Sequence, residues 1–142
     1  MTMKKTLNLN RADGNNPLRI RRNDILKLGL RPQQTDPDFF EFRDRAWCCR
    51  AAFVLLRVYR HRFRIRTIRQ LAENWRTHRD REEQEIYIRQ LSVLSGLKPE
   101  EPVDEQRPEQ LIRLVQAIGR VENSGEPLQP GDVQQGWLLY LG

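Results

Sequence analysis

The sequence is poor in the residues that hold metal ions and build disulfide frameworks. Among its 142 residues there are only two cysteines and two histidines, and the cysteines, Cys48 and Cys49, are adjacent. Adjacent cysteines in an apolar run cannot close the loops of a secreted disulfide scaffold, and His61 and His78 match no zinc motif. We therefore expect no metal site and no cofactor, and we expect both cysteines to be reduced residues of the core.

Long apolar runs and a signal peptide are missing too. No run approaches the length of a membrane span, and the lysines within Met1–Asn10 are not followed by an apolar segment. A Gly-rich phosphate loop and a GxSxG elbow are also absent from the sequence, which argues against nucleotide hydrolysis and serine-hydrolase chemistry. We expect a protein that is made in the cytoplasm without a cleaved leader and that has no membrane span.

Lysine is scarce as well, so arginine carries almost all of the positive charge. Four of the 25 basic residues are lysines and the other 21 are arginines. The formal net charge of the protein is +6. The planar guanidinium group binds carboxylates and phosphates through two hydrogen bonds. The composition predicts an anionic polymer, either peptidoglycan or nucleic acid, or an acidic protein surface as the partner. A solvated surface in an arginine-rich proteome is the competing interpretation.

Helical periodicity dominates the rest of the sequence. The run Trp47–Phe63 is apolar all round at its centre, which is typical of a central helix. Three further helices have recognisable ends: Thr67 with Gln70 forms a capping box, Asp80 is an N-cap, and Pro108 suits a first helical position. We predict a mainly α fold, a compact single-domain bundle of about four to five helices around the central one.

The domain boundaries follow from the same patterns. Residues 1–15 are polar and non-periodic and are predicted to be a flexible N-terminal arm, and residues 16–142 a single helical domain. For residues 18–37 the sequence does not distinguish between a helical turn and a short strand. Residues 126–142 are turn-rich up to an apolar end that we expect to fold back onto the domain. In the helix after Asp80, the predicted buried stripe contains Tyr87, Leu91 and Leu94, and Gly96 is the predicted C-terminal cap.

Arginines at the end of the central helix form a candidate anion-binding site, consisting of Arg57, Arg60, Arg64, Arg66 and Arg69. The first three share one helical face. Tyr59 and Phe63 lie between them and would stack on bases if they were exposed, although periodicity predicts that Tyr59 is buried. No zinc finger, RNA-recognition signature or clear helix-turn-helix accompanies the site.

Several segments, taken in order, resemble a family of phage and prophage virion structural proteins. That family typically opens with Asn-Pro-x-Asn-Ile-Arg and continues through an Arg-Ala-Ala helix, a Thr-Ile-Arg helix start and a Tyr-Ile helix. The matching segments here are Asn16–Arg21, Arg50–Tyr59, Thr67–Trp75, Tyr87–Ile88 and the closing helix that contains Gln116–Ile118 and Glu122. The residues after Trp75 depart from the family, whose Ala-Pro-Pro and Glu-Asn-x-Thr are absent.

The resemblance implies a lysozyme-like helical architecture, location in a virion, and binding or processing of peptidoglycan. The implied activity would be that of a glycosidase or lytic transglycosylase, which needs a protonated carboxylic acid. Glu122, after an apolar helical stripe, is the first candidate for this acid, followed by Asp80 and Glu41. A capping or solvated carboxylate is the competing interpretation of each, so the sequence favours no catalysis. A third function, assembly with other subunits in an oligomer, is also compatible with the sequence.

Overall fold

A computed structural model describes residues 14–75, 80–122 and 128–142 of the protein. These residues form a compact helical bundle, and the prediction of a mainly α fold is confirmed. Within the described ranges there are no strands but three isolated β-bridges. The helices are α1 (Arg45–Phe63), α2 (Ile68–Trp75), α3 (Arg81–Ser95), α4 (Pro108–Glu122) and α5 (Pro130–Leu141).

The longest helix, α1, has well-defined ends. The Asp44 carboxylate caps its N-terminus by accepting a hydrogen bond from the Trp47 N–H at 3.1 Å. At the other end Arg64 adopts a left-handed conformation with φ of 57°, and the Ile65 N–H donates to the Tyr59 carbonyl at 2.9 Å. Basic side chains in the last turn complement the negative end of the helix dipole. The arginine-rich segment therefore begins on a helix and continues beyond a sharp turn.

Helix α5 packs closely against α1. Gly136 lies where the two helices approach, and a Cβ atom at this position would be 2.4 Å from the Cβ of Cys49. Trp137 and Tyr140 extend the contact, since both of their rings contact the ring of Phe53. The sequence did not predict this helix: the turn-rich description of residues 126–136 is wrong from Pro130 onward, because Pro130–Leu141 is helical. The prediction that the apolar end folds back onto the domain is confirmed by the packing of Trp137 and Tyr140.

Helices α2, α3 and α4 complete the bundle, with α3 between α2 and α4. The predicted capping box is confirmed, because the Gln70 N–H donates to Thr67 Oγ1 and the Thr67 N–H donates to Gln70 Oε1. Gly96 ends α3 in the left-handed conformation that its position predicted. The predicted stripe of α3 needs one correction: Leu94 is 39% exposed, and Ile88 is buried beside Tyr87 and Leu91 instead.

Turns between Gly14 and Phe42 form the remaining side of the domain. The buried Asn16 amide donates to the carbonyls of Ile20 and Phe40 at 3.0 and 2.9 Å, and its Oδ1 accepts from the Ile20 N–H. Gly14 also belongs to the folded domain, because its carbonyl accepts from the Phe42 N–H at 2.8 Å. Asn15 contacts the same residue, since its side-chain amide donates to the Phe42 carbonyl at 3.2 Å. Residues 1–13 of the predicted arm lie outside the described ranges.

Candidate functional site

Glu122, the first catalytic candidate, is buried at the end of α4. The residue is only 8% exposed, and its carboxylate accepts a hydrogen bond from the Tyr87 hydroxyl at 2.6 Å. This contact joins α4 to α3, because Glu122 lies in α4 and Tyr87 lies in α3, 35 positions earlier in the sequence. The residue lines neither of the two pockets described for this protein. The structure thus gives Glu122 a role in holding two helices together.

Asp80 and Glu41, the other two candidates, are held as structural carboxylates. Asp80 caps α3, and the hydrogen bond from the Glu83 N–H keeps the pKa of this exposed carboxyl below its usual value. Burial alone would raise the pKa of Glu41, but hydrogen bonds from Thr35 and Asp36, together with the charge of Arg31, lower it overall. A general acid needs a raised pKa, so both environments argue against this chemistry.

Two of the five predicted anion-binding arginines are paired within the protein. Arg69 contacts Glu100 at 2.6 Å and Glu85 at 2.5 Å, and hydrogen bonds to these carboxylates raise its pKa. Arg60 is half-buried, donates to the Val103 carbonyl and lies 3.6 Å from Glu105. Because these partners are 16 to 45 residues distant in the sequence, helical periodicity could not reveal them. Arg69 in particular is therefore less suited to an external anion than predicted.

Four exposed arginines remain at the end of α1, and we call Arg57, Arg62, Arg64 and Arg66 the α1-end arginines. None forms a salt bridge with any carboxylate in the part of the chain that the structure describes. Nearby, His61 contacts Glu105 at 2.9 Å. Four guanidinium groups within ten residues create a local excess of positive charge that is available to an external anion.

The two aromatic residues within this segment differ in exposure. Phe63 is 55% exposed at the last position of α1. Tyr59 is half-buried, its ring packs edge-on to Trp75 with centroids 6.5 Å apart, and burial raises its pKa. The prediction that Tyr59 is buried is thus met only in part. Phe63 alone of the two presents enough ring surface to stack on a base or another planar group.

A pocket opens beside the α1-end arginines. Its volume is about 340 Å³, and it lies between α1, α2, α4, α5 and the loop before α4. Its lining is mostly apolar, with Arg57, Arg60, Arg66 and Glu105 among the polar residues. We call it the α1/α5 pocket. Sequence reasoning missed it because five separate parts of the chain contribute to it, and α5 had not been predicted.

Among the residues that the structure describes, neither the two cysteines nor any metal-ligand cluster offers a further reactive site. Cys48 and Cys49 are buried and form no disulfide with each other, and burial raises the pKa of the Cys49 thiol to about 12. A thiol of this kind is protonated and unreactive at neutral pH. The described residues contain no cluster of three or more histidine, cysteine, aspartate or glutamate side chains that could hold a metal ion.

Two further findings bear on the class of protein. No helix in the described ranges combines the length and the apolar character that crossing a membrane requires. In comparisons with known proteins, no protein-family model matches the chain, and no curated protein matches it. The site must therefore be interpreted from its own geometry: a group of exposed guanidinium groups next to an apolar pocket, with the candidate carboxylates engaged in structural contacts.

Proposed function

We propose that this protein is a non-catalytic component of a phage or prophage virion that binds the anionic polymer of the bacterial envelope through its α1-end arginines. The observation that carries the proposal is the exposure of Arg57, Arg62, Arg64 and Arg66 without carboxylate partners among the described residues. Guanidinium groups bind carboxylates and phosphates, and both occur in bacterial cell walls.

Binding without cleavage fits the environments of the three carboxylates. A glycosidase acid must reach the glycosidic oxygen of its substrate. Glu122 is buried under the Tyr87 hydroxyl, while Asp80 and Glu41 accept hydrogen bonds that favour their ionised forms. Each group already has a structural task, so we assign none of them to catalysis.

The virion assignment rests on the sequence resemblance alone, and two of the matching segments contact each other in the fold. Asn16 organises the first turns by bonding to Ile20 and Phe40. The Trp75 indole N–H donates to the Leu18 carbonyl at 2.9 Å, which joins the end of α2 to the same turns. The segments Asn16–Arg21 and Thr67–Trp75 are therefore in contact in the folded protein. This contact is a structural reason for the two segments to occur together.

Sedimentation with insoluble peptidoglycan over a salt series tests the proposal. We compare the wild-type protein with a variant in which all four α1-end arginines are replaced by glutamine. The matched control carries the same substitution at four exposed arginines elsewhere, namely Arg43, Arg89, Arg113 and Arg120. Both variants have a formal charge of +2, because four charges are removed from +6. The proposal predicts a large loss of binding in the first variant only, and equal losses in both would contradict it.

Nucleic-acid binding is the second candidate, and the exposure of Phe63 beside Arg62 and Arg64 favours it. A stacking ring flanked by guanidinium groups is typical of sites for single-stranded nucleic acid. The same variants can be tested against single-stranded and duplex DNA. The logarithm of DNA affinity should fall with the logarithm of salt concentration with a slope of about −0.7 to −0.9 per phosphate contact. DNA binding that survives loss of the α1-end arginines and of Phe63 would refute this candidate.

A further inference from the structure

The α1/α5 pocket has an apolar interior with an aromatic wall. The rings of Phe53, Trp137 and Tyr140 contact one another, with centroid separations of 5.0 to 5.8 Å. Aliphatic side chains from α1, α2 and α4 form the other walls, including Leu56, Leu71, Leu111 and Leu114. A volume of about 340 Å³ lies within the range of small-molecule sites in proteins.

The polar part of the lining carries a net positive charge. Arg57, Arg60 and Arg66 contribute three guanidinium groups, and Glu105 contributes one carboxylate. Glu105 lies 3.6 Å from Arg60, so this pair largely neutralises itself. Arg57 and Arg66 are exposed and form no salt bridge with the described carboxylates. Two guanidinium groups are therefore left to bind an anion at the pocket.

The combination of an apolar interior and two available cations restricts the ligand. A saccharide would leave most of its hydroxyl groups without hydrogen-bond partners against these walls. A cationic amphiphile would be repelled by Arg57 and Arg66. A polymer or a folded partner is too large for the pocket volume. A small molecule with an unbranched apolar body and one terminal anionic group satisfies both parts of the lining.

We propose that the α1/α5 pocket binds a medium-chain fatty acid, with its acyl chain against Phe53 and Trp137 and its carboxylate near Arg57 and Arg66. This binding activity is separate from the proposed attachment to an anionic polymer, although the two sites share these two arginines. Each methylene that enters the pocket should tighten binding about fourfold, until the apolar space is filled. Affinity should therefore rise from hexanoate through octanoate and then level off.

Titration calorimetry with hexanoate, octanoate and decanoate, each below its micelle concentration, tests this inference. We expect one bound molecule per chain and weaker binding of decylammonium, which has the same chain but the opposite charge. Replacing Arg57 and Arg66 together by glutamine should weaken decanoate binding about tenfold or more, because two charge-assisted contacts are lost. The matched control, in which Arg89 and Arg113 are replaced by glutamine, should bind as the wild type does. Equal binding of decylammonium, or no binding of decanoate, would overturn the proposal.

A measurement on the unaltered protein identifies the location of the ligand. In a ¹H–¹⁵N spectrum, decanoate should shift the indole signal of Trp137, which lines the pocket, and leave that of Trp47 unchanged. Equal shifts of the two signals, or no shift of Trp137, would contradict binding in this pocket. The Leu111→Trp variant, which places a large ring in the apolar space, should abolish decanoate binding if it retains the wild-type circular dichroism spectrum.

The two proposals can fail independently. Replacing Arg62 and Arg64 by glutamine removes only arginines outside the pocket lining. This variant should lose part of its affinity for peptidoglycan and keep its affinity for decanoate. Leu111→Trp should keep its affinity for peptidoglycan and lose its affinity for decanoate. If both variants reduced both activities equally, the pocket would not be a separate site, and the fatty-acid proposal would be refuted.

Discussion

Gly136→Ala provides the sharpest test of how α5 packs against α1. In an isolated helix this substitution is favourable by about 1 kcal/mol, because alanine has the higher helix propensity. Here the new Cβ atom would lie 2.4 Å from the Cys49 Cβ, 2.8 Å from the Ala46 carbonyl oxygen and 2.9 Å from the Arg50 nitrogen. All three atoms are fixed to the backbone of α1, so no side-chain rotation can relieve the contact.

The size of the effect follows from these distances. Carbon atoms in contact are normally about 3.5–4.0 Å apart, so the two helices must separate by on the order of 1 Å. Such overpacking costs about 1–3 kcal/mol in well-packed cores, and we place this case at the upper end because only backbone-fixed atoms are involved. After subtraction of the propensity gain, Gly136→Ala should lower the free energy of unfolding by about 1–2 kcal/mol.

Gly131→Ala is the matched control within the same helix. A Cβ atom at Gly131 would meet no atom within 4 Å, so only the propensity gain applies. We expect this variant to be unchanged or more stable by up to about 1 kcal/mol. Urea unfolding, followed by circular dichroism and by tryptophan fluorescence, measures both variants. If Gly136→Ala were as stable as Gly131→Ala, the close packing of α5 against α1 would be refuted.

Three further predictions concern the buried polar groups. Tyr87→Phe should lower the free energy of unfolding by about 1.5–3 kcal/mol, because it removes the hydrogen bond to the buried Glu122 carboxylate; an unchanged urea midpoint would contradict this role. Glu41→Gln should destabilise the protein at pH 7. Because the folded-state pKa of Glu41 lies below its usual value of 4.5, its stabilisation is complete above that value and is lost as the pH falls through the lowered pKa. The difference in urea midpoint between Glu41→Gln and the wild type should therefore shrink below about pH 4, and a constant difference would contradict the assignment. Alkylation of Cys48 and Cys49 at pH 8 should occur only when the protein unfolds, since both are buried and the pKa of Cys49 is raised to about 12; fast labelling in native buffer would contradict their burial.

Local signals in the sequence were sufficient for α1 to α4. A capping box such as Thr67 with Gln70, an N-cap such as Asp80 and a left-handed Gly96 each act within a few residues of a helix end. These interactions depend little on the rest of the fold, and the structure contains all of them. Pro108 likewise begins α4 at the predicted position.

Helix α5 was missed because its glycines resemble turn residues in the sequence. Gly136 is required by the close approach to α1, which is a tertiary contact that no local pattern reveals. Two local signals were nevertheless present. Pro130 occupies the first turn of the helix, and the Gln129 N–H donates to the Asp132 carboxylate at 3.0 Å. Proline at this position and an acidic residue two places later are typical of a helix start.

The candidate site was only partly predictable for the same reason. The concentration of arginine at the end of α1 is visible in the sequence, but the partners of Arg60 and Arg69 come from distant segments. The Asn16 side chain likewise donates a hydrogen bond to the carbonyl of Phe40, which is 24 residues away in the sequence. The sequence therefore locates the excess of positive charge, whereas the fold decides which of its members are available to a ligand.

The most direct test of the proposed function measures binding and cleavage in the same sample. Purified protein is incubated with insoluble peptidoglycan, the bound fraction is determined after sedimentation, and the supernatant is analysed for soluble muropeptides by chromatography. The proposal predicts a bound fraction that depends on Arg57, Arg62, Arg64 and Arg66, with no muropeptides released. Release of muropeptides that is abolished by Glu122→Gln in a normally folded protein would contradict it, and would show that the buried carboxylate is catalytic.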